Sequence, residues 1–142
     1  MKDLVRSDPI VRASVAGTAV FTLAAVVAAA TAADPPVVVA VVVDLLLFVA
    51  GCAAFVVTLV RAADRSRTED VTLSGIWWLA SGAPADVRRV LLGALGVQVA
   101  VALVTASARP FTGLAFGILV PVYGLGLVGL WAVRLGRFPP RV

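Results

Sequence analysis

The sequence predicts an all-α, polytopic membrane protein with four transmembrane helices and a short interfacial amphipathic segment between the second and third. Three observations carry this. The 142 residues are 61% hydrophobic and only 14% charged, with a mean hydropathy of +1.06. A soluble domain is nearer half apolar and a quarter charged. Four apolar runs approach the ~20 residues that a helix needs to cross a bilayer. Eleven of the twelve basic residues fall on one side of those runs. The apolar content also excludes disorder, and a lone Cys52 excludes a disulfide scaffold.

The first run, residues 13–33, has no charge and lies between Arg12 and Asp34. A cleaved signal peptide is the rival reading, since Lys2, Arg6 and Arg12 precede the run and Ala30-Thr31-Ala32-Ala33 offers small residues. Signal cores are shorter, at about 7–15 residues, so a retained span is expected. Ser14, Gly17, Phe21, Ala25, Ala28 and Ala32 line one face of it. Asp34-Pro35-Pro36 reads as a turn. The second run, 37–60, contains one charge, Asp44, which shares a face with Phe48, Gly51, Phe55 and Thr58.

Residues 61–89 form the connection that holds most of the polar material. A mixed-charge loop from Arg61 to Asp70 leads into Leu73, Ile76, Trp77 and Ala80, which follow i, i+3, i+4, i+7 spacing. Asp70 or Thr72 can cap this turn. Trp77 and Trp78 suit the headgroup boundary, and Ser81-Gly82 ends the segment. Pro84 fits the first turn of the next helix. Arg88 and Arg89 would meet anionic headgroups as the chain enters the membrane.

The third run, 90–107, places Gln98, Thr105 and Arg109 on one face, with Gly93, Gly96, Ala100 and Ser107 opposite. The fourth, 111–133, carries Gly113, Gly117 and Gly124 in a seam with Trp131, and a mid-span Pro121 that should kink it. Gly113 and Gly117 form a GxxxG pair, read first as packing within the chain and second as a contact between copies. The whole is expected to be a single membrane domain over residues 1–142.

The basic residues set orientation. Lys2, Arg6 and Arg12 precede the first span, Arg61, Arg65, Arg67, Arg88 and Arg89 lie between the second and third, and Arg134, Arg137 and Arg141 follow the fourth. Only Arg109 lies on the other side. Both termini are therefore expected in the cytoplasm of a plasma-membrane protein. The charges flank apolar runs and form no soluble basic stripe, which argues against nucleic acid. The partners expected are the lipid bilayer and, through the Gly-rich helix faces, another protein or a second copy.

Asp44 is the one acidic residue inside a span. Ionised, it would cost about 2.5–3.5 kcal/mol at the bilayer centre on insertion scales. It lies seven residues from the outer end of its run, about 10 Å, and Gln98 nine residues from the outer end of the third, about 13 Å. Asp44, Gln98, Thr105 and Arg109 thus form the candidate intramembrane polar cluster, with Asp44 in reach of Gln98 and, if that side chain bends inward, of Arg109. The chain has no His, no Gly-rich phosphate loop, no GxSxG and no HExxH. A non-enzymatic protein without cofactor or metal is expected, as a structural or accessory envelope component. The alternative is a small oligomeric transporter or ion-coupled permease working through Asp44.

A set of short segments runs along the chain: Arg6-Ser7-Asp8-Pro9, Val11-Arg12-Ala13-Ser14, Ser81-Gly82-Ala83-Pro84, Val97-Gln98 and Arg109-Pro110-Phe111-Thr112. Leu114-Ala115-Phe116-Gly117, Val120-Pro121, Tyr123-Gly124-Leu125-Gly126, Gly129-Leu130-Trp131 and Phe138-Pro139 continue it. In these segments, over nearly its whole length, the chain resembles uncharacterised small four-span integral membrane proteins of actinobacteria. That family has no assigned activity, so the resemblance implies a location, the actinobacterial plasma membrane, and transfers no functional residue.

Overall fold

The computed structural model describes residues 8–31 and 33–141. The chain runs α1 (Pro9–Thr31), α2 (Asp34–Arg65), α3 (Leu73–Trp77), α4 (Ala85–Ala108), a 3-10 helix (Gly113–Leu119) and α5 (Pro121–Leu135). Four segments are long and apolar enough to cross a membrane: α1, α2, α4 and the joined Gly113–Leu135. Large aliphatic side chains such as Leu23, Leu46, Val49, Leu103 and Val104 cover the outside. A belt of that kind suits lipid and would aggregate in water.

The helices extend past the apolar runs because a charge at a helix end need not stop the helix. α1 begins at Pro9, whose missing N–H is one of the first-turn orphans anyway, and Asp8 Oδ1 accepts from the Ile10 amide at 2.8 Å. Asp34, Pro35 and Pro36 are the first turn of α2 rather than a separate turn. The prolines again occupy positions whose amides would lack partners. Ala32, assigned to the first span's small-residue face, lies outside the described residues. α2 continues through Arg61 to Arg65, giving 32 residues and about 48 Å. α4 starts at Ala85, so Asp86, Arg88 and Arg89 belong to its opening turns, and Pro84 is the residue before the helix.

The last span is the axis of the molecule. Half of it is buried, against 22–33% of the other three, and it packs on α1, α2, α3 and α4. Pro121 does more than kink it. Proline offers no amide to Gly117, so the preceding turn tightens to 3-10 geometry, with Val120 N–H donating to Gly117 O at 3.1 Å. The Gly113–Gly117 pair packs within the chain. A Cβ on Gly113 would lie 2.8 Å from the Val41 side chain, and one on Gly117 would lie 3.3 Å from Phe21.

Closest approach occurs between α2 and α5. A Cβ on Gly51 would stand 2.5 Å from the Tyr123 backbone, and one on Gly126 would stand 2.5 Å from the Gly51 carbonyl. Backbone meets backbone here, as small residues allow in lipid. Tyr123 O–H donates to Ala13 O at 2.6 Å, and Trp131 Nε1–H donates to Asp8 Oδ2 at 2.8 Å. Both bonds tie α5 to the start of α1.

The arginine-rich end is knotted. Arg65 Nε donates to Glu69 at 2.6 Å, while its two terminal nitrogens donate to Val133 O at 2.9 Å and Gly136 O at 3.0 Å. The guanidinium also lies 4.9 Å from the centre of the Phe138 ring. It thereby satisfies carbonyls at the C-terminus of α5, where a cation is favoured. The tail then follows the connection, with Asp70 N–H donating to Pro139 O at 2.8 Å and Arg141 N–H to Thr68 O at 2.9 Å.

The amphipathic segment is shorter than its spacing suggests. Thr72 caps α3 by accepting from the Gly75 amide at 3.1 Å. The helix then ends at Trp77, and Leu79 takes a left-handed backbone, φ 53°. Ile76 is buried and Trp77 stacks on Phe55 with centroids 5.1 Å apart. Leu73 and Trp78, by contrast, are 75% and 65% exposed. The predicted Leu73–Ala80 face therefore does not form, because the reversal at Leu79 turns that side chain inward in place of Ala80.

Candidate functional site

The four residues of the polar cluster read from the sequence fall into four separate environments. Asp44 is 2% exposed and Gln98 fully buried, and Thr105 is buried too. Arg109 is exposed at the C-terminal cap of α4. No hydrogen bond joins Asp44 to Gln98, and neither Asp44 nor any other carboxylate pairs with Arg109 among the described residues.

Gln98 turns instead to α1. Its Nε2 donates to Thr18 Oγ1 at 2.7 Å, and Thr18 Oγ1 donates to Ser14 O at 2.8 Å. Gln98 Oε1 faces Gly124, whose Cβ position lies 2.5 Å away, and finds no partner. Thr105 Oγ1 bonds its own helix, donating to Val101 O at 2.8 Å. Such back-bonding is the usual local alternative for a threonine inside a helix.

Asp44 packs against the other half of the last span. Its Oδ2 lies 3.7 Å from the Cβ position of Gly117, beside Phe21, and its buried Oδ1 has no hydrogen-bond partner. Gly117 and Gly124 are seven residues apart, about 10–12 Å of rise across the 3-10 and α turns. Similar depth measured from the ends of the apolar runs therefore did not mean adjacency, since Asp44 and Gln98 meet different levels of the same central span.

Thr18 was absent from the cluster read from the sequence. Its signal was present, because it sits four residues after Ser14 and so shares that residue's face, one turn further along the helix. The clamp at Arg65 was also missed, although Glu69 follows it at i+4. Of the interfacial anchors, Trp78 stands out from the bundle, Trp77 is packed into it, and Arg88 and Arg89 are exposed on the opening turns of α4.

Among the described residues no three His, Cys, Asp or Glu side chains come together as a metal site. No protein-family model matches the chain, and no curated protein or solved structure matches it either.

Proposed function

We propose that the chain is a non-enzymatic, multi-pass protein of the plasma membrane, a structural or accessory component of the envelope with both termini in the cytoplasm. The observation that supports this most is the close packing around the last span. Gly51 and Gly126 bring two backbones into contact, and Asp44 Oδ2 and the Phe21 ring both lie against Gly117. Such packing leaves a bundle built to persist. The resemblance to small actinobacterial membrane proteins suits the same reading. Cross-linking and co-purification from native membranes test it by recovering a stoichiometric protein partner. The orientation has its own check. Reporter fusions after Arg67 and Arg141 should read as cytoplasmic and a fusion at Pro35 as exterior. An exterior signal after Arg141 would sink the assigned topology.

One observation favours the second reading, an ion-coupled transporter. Asp44 Oδ1 and Gln98 Oε1 are both buried acceptors without partners, and buried polar groups of that kind are uncommon and often functional. The two readings part on Asp44→Asn and Asp44→Leu. In a structural protein, Asn should change stability by no more than about 1 kcal/mol, as interhelical polar contacts in membranes are modest. Leu should be at least as stable as Asn, because it removes a polar group that has no bond to lose. Proton flux into liposomes should be absent throughout. Flux in the wild type that disappears in a stably folded Asp44→Asn variant would establish the transporter instead.

A further inference from the structure

The geometry points to a discrete site for one anionic phospholipid on the outer face of α4, at its arginine-rich end. Ala83, Ala85, Arg88, Arg89 and Leu92 line a cleft of about 480 Å³. Arg88 and Arg89 are exposed, and neither forms an ion pair or side-chain hydrogen bond among the described residues, where the one ion pair is Arg65–Glu69. That sets them apart from Arg65 and Arg141, whose guanidiniums are engaged by carbonyls. Two neighbouring guanidiniums present the planar donors that phosphate oxygens accept. Asp86 shares this turn but does not line the cleft.

The occupant is a lipid rather than a free phosphate because the face of α4 that carries the cleft continues beyond Leu92 as an apolar track. Leu92, Val99 and Leu103 follow each other at seven and four residues, hence on one face of α4. Val99 and Leu103 are 39% and 56% exposed. A phosphodiester held by Arg88 and Arg89 would lay an acyl chain along this track toward the bilayer centre. The site rests on α4 being a span, with Arg88 and Arg89 at headgroup depth on the side where anionic lipid draws basic residues.

The test is native mass spectrometry and thermal unfolding of the full chain in neutral detergent. It is titrated with dioleoylphosphatidylglycerol, dioleoylphosphatidylcholine or glycerol 3-phosphate. Phosphatidylglycerol should be retained one to one and raise Tm saturably, while the other two should do neither. At about fivefold per arginine, the Arg88→Gln/Arg89→Gln variant should bind phosphatidylglycerol about 25-fold more weakly. Its Tm without lipid should stay that of the wild type. Arg61→Gln/Arg134→Gln, which alters exposed arginines at the same end, should bind as the wild type does. Equal weakening in both double variants would overturn the site in favour of diffuse attraction. Equal response to phosphatidylcholine would overturn it in favour of ordinary solvation by lipid, and equal response to glycerol 3-phosphate would overturn the acyl track. A chain that stays soluble without detergent would overturn the span itself, a distinguishable failure.

Discussion

Gly51→Ala should destabilise the bundle by about 3 kcal/mol, at the upper end of what overpacking a filled interior costs. The added methyl would sit 2.5 Å from the backbone nitrogen and Cα of Tyr123. Backbone has no rotamer to yield, so α2 and α5 must separate. That movement also opens the close approach of Gly126 to the Gly51 carbonyl and pulls on the Tyr123 bond to Ala13. The matched control is Gly93→Ala or Gly96→Ala on α4, where nothing lies within 4 Å of the new carbon. There alanine should be neutral or stabilising by up to about 1 kcal/mol, from helix propensity alone. Unfolding in mixed micelles by added dodecyl sulfate, followed by tryptophan fluorescence, measures all three. Similar losses at Gly51 and Gly93 would refute the close contact of α2 with α5.

Arg65→Met should cost about 3 kcal/mol. Hydrogen bonds to a charged group contribute about 1.5–3 kcal/mol, and this guanidinium serves Val133 O, Gly136 O and Glu69 at once. Methionine keeps much of the aliphatic volume while leaving those carbonyls and the Glu69 carboxylate without their donor. Arg65→Lys should recover less than half of the loss, since one ammonium cannot span the fork of acceptors. Limited trypsin digestion gives a second readout. With the clamp gone, the segment from Gly136 onward should loosen, and cleavage at Arg137 should accelerate well ahead of cleavage within the helices. Unchanged digestion with unchanged stability would show the clamp to be incidental.

The four spans were legible because their signal is compositional. Twenty apolar residues in a row mean the same thing whatever they pack against. Boundaries were less legible, since charges mark where lipid ends rather than where a helix ends. Arg61 closed the apolar run, yet α2 continues to Arg65 because α5 offers carbonyls there. The buried faces of α1 and α2 followed from the helical period, as Gly17, Phe21, Asp44, Gly51 and Thr58 all turn inward. What the period could not supply was the neighbour. It sets the direction of Gln98 around α4, but which helix stands in that direction is a matter of tertiary arrangement. Thr18 stands there, and Asp44 is left facing Gly117. Reversal of the chain at Leu79 was equally hidden, because a left-handed leucine has no sequence signature.

The central position of the fourth span has a consequence for how the protein is made. Of the four spans it leaves the ribosome last. Seventy-three residues separate Asp44 from Gly117, which at ordinary translation speeds of about 5–20 residues per second is a delay of roughly 4–15 seconds. α1 and α4 can join Thr18 to Gln98 before then. Asp44, Gly51 and Thr58 cannot be covered, because the surfaces that cover them have not yet been synthesised. The nascent chain therefore passes through a three-helix stage with a carboxyl and a small-residue furrow open to the bilayer, and the arrival of residues 113–135 closes both.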